Sequence, residues 1–556
     1  MSLPAPTLDA VPPDTLRVAR ASFPKGTLAM NLRDHLGSVY EDDLFASLFS
    51  PLGQPAVPPW RLVLVSILQF VEGLTDRQAA DAVRGRLDWK YALGLELTDP
   101  GFHYSVLSEF RARLIAGDVA QTLLDTLLTR CQQRGWLKAG GTQRTDATHV
   151  LGAVRAMNRL ESVGETLRAA LNALAVAAPD WLHGQITADW WDHYSRRVEE
   201  YRLPKGDAAR QVYANTIGTD GTQLLAAIYA PTAPDWLRQL PAVELLRRMW
   251  VQQYYAPDAD GAVRQRSAKD VPPGALWIHS PYDGEVRYGT KRSTTWVGFK
   301  VHLTETCDPL TPHLITQVQT TSALAGDNTQ VAAIQTELGA KGLAPQTHLV
   351  AAGYTSAEEF VQSKERGIVL VGPIREATNW QAREGQGYDL SAFAIDWEQQ
   401  RVTCPNGKHN SQWKQHTDRS GRRLIQALFR KADCLPCPVR AMCTRSKNAP
   451  RQVTFQPQIA QEALQAARSA QHTAAFKEVI AARAGVEGTM SQGVRALELR
   501  QSRYIGLEKT HLQHIWIALA LNVLRLVAWW RGGTPAATRV SHFAALDPMR
   551  TLVLAT

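Results

Sequence analysis

Residues 293–323 read STTWVGFKVHLTETCDPLTPHLITQVQTTSA and carry the clearest indication of the chain's architecture. Thr, Val and aromatic residues recur on both sides of a central CDPLTP, which is rich in turn-forming residues. The pattern predicts two antiparallel strands joined as a β-hairpin. Upstream, residues 141–152 read GTQRTDATHVLG and alternate in the same way, which predicts a half-buried strand with Asp146 in its middle.

A helix and one more strand follow the hairpin. Asp327 precedes NTQVAAIQTELGAKG, and Gln330 completes a capping box three positions later, so we expect Asp327 to cap the start of a helix. Residues 347–354, THLVAAGY, predict a short apolar strand. Strand, hairpin, helix and strand together predict a mixed α/β core.

The residues before this core have a helical pattern. RLVLVSILQFVEGL, TDRQAADAVRG and YSVLSEFRARL, all within residues 60–114, predict amphipathic helices, and Thr75 with Gln78 predicts a capping box. Two helices joined at a Gly-containing turn are typical of a helix-turn-helix unit that binds DNA, and equally of a bundle that only packs. A further helix is expected from Val119 to Arg134.

The pattern changes along the rest of the chain and predicts its division. Residues 155–270 are mostly helical, whereas residues 355–475 have short strands and polar loops with four of the six cysteines. We expect an N-terminal helical domain for DNA binding or dimerisation at 1–135, a core assembled from 136–154, 271–354 and 476–531, insertions at 155–270 and 355–475, and a tail at 532–556.

Composition narrows the class of protein. Lys and Arg number 61 against 52 Asp and Glu, a net charge of +9, which favours a polyanionic partner such as nucleic acid. The N-terminus MSLPAPTLDAVPPDTL lacks the basic start and apolar core of a secretion signal. The longest apolar run, Ile515–Val527, is interrupted by Asn522 and Arg525 and is too short to span a bilayer. We therefore expect a cytoplasmic protein with no membrane partner.

Four cysteines lie within 40 residues of one another. Cys404, Cys434, Cys437 and Cys443 have the spacing C-x29-C-x2-C-x5-C. Four thiolates with one CxxC turn form a tetrahedral zinc site in many small loop-rich units, so a structural Zn²⁺ is preferred over unligated thiols. His409 is an alternative ligand. The isolated cysteines, Cys131 and Cys307, are expected to be buried apolar residues.

Three segments carry a family resemblance. They are TDATHV from residue 145, SPYDGEVRYGTKRSTTWVGFKVHLTET from residue 280, and RAGVEGTMSQGVRALELRQSRYIGLEKTHLQHIWIALALN from residue 483. Together they resemble the DDE transposases of bacterial insertion sequences, over residues 40–531. The resemblance implies an RNase H-like core in which two Asp and one Glu hold two Mg²⁺ or Mn²⁺ ions. It also implies binding of terminal inverted repeats and target DNA by a homodimer.

The resemblance assigns the catalytic carboxylates position by position. Asp146 matches the first and Glu487 in RAGVEGTMSQ the third, with Arg483 four residues before it. The family has its second Asp before Ala-Gly-Tyr, where this chain reads HLVAAGYTS with Ala351. A methyl group cannot ligate a metal, so we expect a chain that binds DNA and cuts it poorly or not at all, through an engineered change or natural decay.

Other acidic residues and several cations enter as alternatives. Asp327 and Asp283 are the candidate substitutes for the missing carboxylate. Each also has a sufficient structural role, Asp327 as a helix cap and Asp283 in a turn. His149 either assists the metal site or is an ordinary strand residue. The cations expected to contact DNA phosphates are Lys291, Arg292, Lys300, Arg483, Arg495, Arg500, Arg503 and Lys509. Rival functions are a non-catalytic DNA-binding protein derived from a transposase and an RNase H-like nuclease.

Overall fold

The computed structural model of the protein describes residues 1–3, 10–259, 261–376, 378–385, 387–419 and 421–533. The expected tail at 532–556 lies outside the described residues except for Gly532 and Gly533.

The N-terminal part of the chain is helical. Its helices are α1 Pro13–Ser22, α2 Leu28–Leu36, α3 Pro59–Glu72, α4 Asp76–Gly85, α5 Leu87–Leu93, α6 Ser105–Ala116 and α7 Ala120–Gln133. The predicted capping box at the start of α4 is confirmed, because Thr75 Oγ1 accepts from the Gln78 N–H at 3.3 Å and Gln78 Oε1 accepts from the Thr75 N–H at 2.9 Å. α3 is buried along most of its length, which leaves α4 with the exposed polar face.

A mixed sheet follows these helices. Within the described part of the chain it has six strands: β1 Thr142–Leu151, β2 Arg287–Lys291, β3 Thr294–Thr306, β4 Ile315–Ser322, β5 Thr347–Val350 and β6 Val369–Val371. β1 lies between antiparallel β3 and parallel β5, β2 and β4 pair with β3, and β6 pairs with β5. The mixed α/β core and the β3–β4 hairpin are confirmed.

A helical region between β1 and β2 has a hydrophobic core of its own. It consists of α8 Arg159–Ala177, α9 Pro179–His183, α10 Ala188–Tyr194, α11 Asp207–Ile228 and α12 Pro241–Gln253. Packing is close enough that a Cβ on Gly221 would lie 1.9 Å from Trp250 Cζ2, and Trp250 Nε1 donates to the Gly218 carbonyl at 3.0 Å. The region therefore packs as a unit beside the sheet.

The sheet leads into a loop-rich module and then into the last helices. α13 Val331–Ala340 and α14 Ala357–Glu365 follow β4 and β5. The loop-rich module contains α15 Trp380–Glu384, β7 Ala394–Asp396, β8 Arg401–Thr403, β9 Asn410–Thr417, β10 Arg423–Phe429, α16 Lys431–Cys434, α17 Arg440–Cys443 and β11 Gln452–Phe455. After it come α18 Gln458–Ala470, α19 Ala474–Ala481, a 3₁₀ turn Ala482–Ala484, α20 Gly485–Leu497 and α21 Leu507–Trp530.

The last helix, α21, packs inside the protein. Its length and composition would allow it to cross a membrane, but 78% of its most apolar window is buried. Asn522 in the middle of the helix exchanges two hydrogen bonds with the Ile315 backbone of β4, at 2.7 and 2.9 Å. A polar side chain with both groups satisfied fits a buried core position, so α21 is the central helix beneath the sheet.

A buried carboxylate joins β1, β3, α20 and α21. Glu305 on β3 has no exposed surface and accepts hydrogen bonds from Arg144 Nε at 2.7 Å, Arg525 Nη1 at 2.6 Å and Thr489 Oγ1 at 2.6 Å. Arg144 also donates to the Ala482 carbonyl at 2.6 Å. We call Glu305, Arg144, Arg525 and Thr489 the Glu305 cluster. It fixes the 3₁₀ turn and α20 against the middle of β1.

The charge state of Glu305 follows from these contacts. Burial alone would raise the pKa of its carboxyl, but Arg525 and Arg144, with the Thr489 hydroxyl, more than offset burial and lower the pKa. A carboxyl with a lowered folded-state pKa stabilises the fold above its unfolded pKa of about 4.3, and this contribution is lost as the pH falls through the folded-state value.

Glu305→Gln is expected to lower the free energy of unfolding at pH 7 by about 3–5 kcal/mol, because it leaves two buried guanidiniums without a counter-charge. Urea denaturation measures the loss, which should narrow as the pH falls below the unfolded pKa of about 4.3 and then through the lowered folded-state pKa of Glu305. The control is Glu244→Gln, whose exposed pair with Arg247 at 2.8 Å should contribute about 0.5 kcal/mol or less. Equal effects of the two substitutions would contradict the role of the cluster.

Candidate active site

Asp146 and Glu487 share one cation. Asp146 lies in the middle of β1 with its side chain 16% exposed, and its Oδ2 accepts from Arg483 Nη1 at 3.0 Å. Glu487 lies in the first turn of α20, 65% exposed, and accepts from Arg483 Nη2 at 3.0 Å. Arg483 and Glu487, four residues apart in sequence, are thus in contact. Two carboxylates far apart in sequence therefore face each other across one guanidinium.

Position 351 lies beside Asp146. The parallel register of β1 and β5 pairs Thr145 with Val350, and one further step places Ala351 next to Asp146. The predicted strand at 347–354 ends at Val350, and a turn follows in which the Tyr354 N–H donates to the Ala351 carbonyl at 3.0 Å. Neighbouring parallel strands are about 4.8 Å apart, so a carboxylate at 351 would face the one at 146.

The expectation that Asp327 caps a helix is wrong. Its side chain makes no capping hydrogen bond, and a 3₁₀ turn Asn328–Gln330 precedes α13. The Asp327 carboxylate instead pairs with Lys300 at 3.1 Å and with Lys291 at 3.8 Å. It also lies against the turn after β5, because a Cβ on Gly353 would be 2.9 Å from Asp327 Oδ2. The attraction of two lysines outweighs the local capping preference.

A buried His–Tyr pair lies at this turn, and no sequence pattern predicted it. His302 Nδ1 and the Tyr354 hydroxyl are 2.6 Å apart, and both side chains are buried. Burial lowers the pKa of His302 to about 4, so the imidazole is neutral at pH 7. Burial, with the charges of Asp327 and Asp146, raises the pKa of Tyr354. The pair is a neutral support beneath the acidic residues.

The acidic residues do not form a complete metal centre. Among the residues that the structure describes, no group of three or more His, Cys, Asp or Glu side chains is arranged to hold a metal ion. Asp146 and Glu487 supply two hard oxygen ligands, Arg483 occupies the space between them, and Ala351 supplies none. The residues present thus do not fit the two-ion centre that the resemblance implies.

Some of the predicted DNA-binding cations form one patch at the end of β1. Lys291 and Arg292 lie exposed at the β2–β3 turn, where Arg292 has a φ of 56°. Arg500 is exposed, and its Nε donates to Thr148 Oγ1 at 2.7 Å. The half-buried side chain of His149 lies close to Arg500 and Lys291. Burial, and then the positive charges of Arg500 and Lys291, lower the pKa of His149. We call Lys291, Arg292, Arg500 and His149 the β1-end patch.

The other predicted cations differ in what they contact. Arg495 is exposed and donates to Ser491 Oγ at 3.0 Å, and Lys509 is exposed. Lys300 is 15% exposed and donates to the Ala325 carbonyl at 2.7 Å as well as to Asp327. Arg503 pairs with Glu498 at 3.1 Å and lies 5.1 Å from the Phe70 ring. Lys300 and Arg503 therefore have structural partners already.

The structure also places Asp283 and the cysteines. Asp283 is buried and accepts from the Glu285 and Gly506 N–H groups at 3.0 and 2.9 Å, so it shapes a turn, as expected.

The four clustered cysteines line one small cavity. His409 is not among its lining residues and contacts Thr403 Oγ1 at 3.0 Å. Cys131 is fully buried, and Cys307 is partly buried.

The Glu305 cluster was not predicted from the sequence, although the position of Glu305 in its strand indicated a buried carboxylate. In VHLTET, Glu305 continues the every-second-residue series of Val301 and Leu303, which places a carboxylate at an inward position of β3. A charge at such a position needs buried partners. The partners, Arg144 and Arg525, come from distant segments, so the sequence alone did not identify them.

Two segments of the chain match known families. Residues 403–527 match the family described as Transposase DDE domain, and residues 17–113 match Transposase domain (DUF772). The first range contains Glu487 and the four clustered cysteines, whereas Asp146 and Ala351 lie outside both. No curated protein matches the chain significantly. The chain carries two transposase-family domains, and the DDE domain implies phosphoryl transfer on DNA with a divalent metal.

Replacing Arg483 with Gln is expected to tighten Mn²⁺ binding about fivefold, equivalent to about 1 kcal/mol, because the guanidinium no longer competes for Asp146 and Glu487. Titration with Mn²⁺ followed by electron paramagnetic resonance measures the Kd. The control Arg495→Gln removes the same charge eight residues after Glu487 on α20, where the side chain contacts Ser491. It should leave the Kd for Mn²⁺ unchanged. Weaker binding in Arg483→Gln would show that the arginine supports the cation site instead of blocking it.

Proposed function

We propose that the protein is a DNA transposase of an insertion sequence whose strand cleavage is impaired by Ala351. The observation that carries the proposal is the convergence of Asp146, Glu487 and position 351 on one place at the centre of the sheet. The two transposase-family domains support it. The core is RNase H-like in this proposal and is assembled from residues 136–154, 271–354 and 476–531.

The proposed chemistry is metal-dependent transfer of a DNA phosphoryl group. In an intact site, three carboxylates would hold Mg²⁺ or Mn²⁺, which would supply positive charge at the reacting phosphoryl group. In this chain Asp146 and Glu487 are the remaining ligands. Arg483 holds the two carboxylates together in the absence of the third, and the neutral His302–Tyr354 pair fixes the turn that carries residue 351.

The β1-end patch is the proposed phosphate-binding surface nearest the site. Its cations come from the β2–β3 turn and from the loop after α20, and they surround the end of the strand that carries Asp146. Such a cationic edge attracts the DNA backbone without reading its sequence. Helices of the N-terminal domain, residues 1–135, would read the terminal inverted repeats. A transposase must bring the two ends of its DNA element together, which favours a homodimer. The proposed location is the cytoplasm, in association with the nucleoid.

Ala351 itself favours a second function. A chain that binds element ends without cutting them is a non-catalytic DNA-binding protein derived from a transposase. A general RNase H-like nuclease is the third alternative, which the two transposase-family domains disfavour.

Ala351→Asp is expected to restore cleavage of labelled duplexes taken from the DNA that borders the gene on both sides. The substitution adds the missing ligand beside Asp146, so activity in Mg²⁺ or Mn²⁺ should rise at least about 100-fold, equivalent to about 2.7 kcal/mol. Denaturing gels measure cleavage, and Ala352→Asp is the control, since it adds the same charge at the next, exposed residue.

The outcomes of this assay separate the functions. Cutting by the Ala351→Asp protein followed by joining to a target duplex supports the transposase, whereas cutting without joining supports the nuclease. Cutting by the unaltered chain would place the second carboxylate elsewhere. Duplexes that stay intact with every variant would refute the enzymatic proposal.

In the chain that keeps Ala351, the double substitution Lys291→Gln with Arg292→Gln is expected to weaken DNA binding. It should also reduce the slope of the logarithm of the binding constant against the logarithm of the salt concentration by about 2, because each lost phosphate contact releases about one counterion fewer. Fluorescence anisotropy at several salt concentrations measures both. The matched control is Arg422→Gln with Arg423→Gln, an adjacent exposed pair on the loop-rich module. Equal slopes for both double variants would exclude the β1-end patch from the interface.

A further inference from the structure

The loop-rich module brings four thiols from three separate turns to one cavity. Cys404 follows β8, Cys434 and Cys437 belong to the turn around α16, and Cys443 ends α17. All four line a cavity of about 30 Å³. A cavity that holds a water molecule needs roughly 10–15 Å³, so this one has room for a single ion and not for an organic ligand.

The backbone around the cavity donates hydrogen bonds to sulfur. The Lys408 N–H donates to Cys404 Sγ at 3.3 Å, and the Arg451 N–H donates to Cys434 Sγ at 3.5 Å. The first of these bonds closes a tight turn in which Gly407 has a φ of 72°, a left-handed conformation that favours glycine. N–H groups directed at sulfur stabilise the thiolate form that binds metal.

Two of the cationic side chains that line the cavity, Arg440 and Arg451, donate hydrogen bonds to backbone carbonyls. Arg440 donates to the carbonyls of Cys434 at 3.1 Å and of Ser446 at 2.7 Å, and Arg451 donates to the Tyr388 carbonyl at 3.3 Å. These bonds hold the loops around the cavity in place.

The module has little else to hold it together. Its buried hydrophobic cluster consists of Phe393, Val402, Ile425, Ala427, Phe429, Val453 and Phe455, with Cys404, Cys434 and Cys443 packed at its edge. A unit with so small a core usually depends on disulfides or a structural metal. The four cysteines of the module are free thiols, so their sulfurs are available as ligands.

We propose that Cys404, Cys434, Cys437 and Cys443 bind one structural Zn²⁺ ion that fastens the loop-rich module. Tetrahedral Zn²⁺ with four thiolates has Zn–S distances of about 2.3 Å. The four side chains line the cavity without a closed ligand arrangement, so binding the ion would draw the four sulfurs together. The site is separate from Asp146 and Glu487 and serves folding, so the proposal does not rest on the transposase function.

The test is the zinc content of the full-length protein, purified without chelators and measured by plasma mass spectrometry. We expect about one zinc ion per chain in the unaltered protein and in Cys131→Ser and Cys307→Ser, whose thiols lie elsewhere. Cys437→Ser should lose at least half of the zinc. Exchange with Co²⁺ should give the visible absorption of a tetrahedral thiolate site.

Clear results would overturn the proposal. One such result is a zinc content below about a tenth of an ion per chain together with no uptake of Zn²⁺ or Co²⁺ by the reduced protein. A second is the finding of two disulfides among the four cysteines by peptide mapping. A third is an equal zinc content in Cys437→Ser and Cys307→Ser. If Cys437→Ser does not fold, the metal content and Co²⁺ spectrum of the unaltered chain decide.

Discussion

The buried carboxylate of Glu305 is the constraint on which the site depends. A carboxylate with no exposed surface is stable only with charged partners, and it draws Arg144 from β1, Arg525 from α21 and Thr489 from α20 to one point. Arg144 then holds the turn before α20 through the Ala482 carbonyl. Arg483 lies in that turn, so the arrangement of Asp146, Arg483 and Glu487 follows from an interaction two residues away on β1.

The sequence predicted those parts that depend on local pattern. Alternation located β1 and the β3–β4 hairpin, a capping box located α4, and the cysteine spacing indicated the residues that meet at one cavity. The family resemblance indicated Glu487, with Arg483 four residues before it, and the two side chains form an ion pair. These signals lie within short segments, where neighbouring residues determine the structure.

The remainder depends on contacts between distant segments. Asp327 has the local pattern of a helix cap, but its carboxylate pairs with Lys300 and Lys291 and makes no capping hydrogen bond. His302 and Tyr354 are 52 residues apart and pair only because the turn after β5 folds back on β3. The register that places Ala351 beside Asp146 likewise becomes visible only when β1 and β5 pair.

The central claim is that Asp146, Glu487 and residue 351 form one cation site that Ala351 leaves incomplete. Anomalous diffraction from crystals soaked in Mn²⁺ tests it directly, on the unaltered protein and on Ala351→Asp. We expect an anomalous peak about 2.0–2.3 Å from Asp146 and from the introduced carboxylate in the variant, and a much weaker peak in the unaltered protein. Equal peaks in both proteins, or a peak at Asp327 instead, would contradict it.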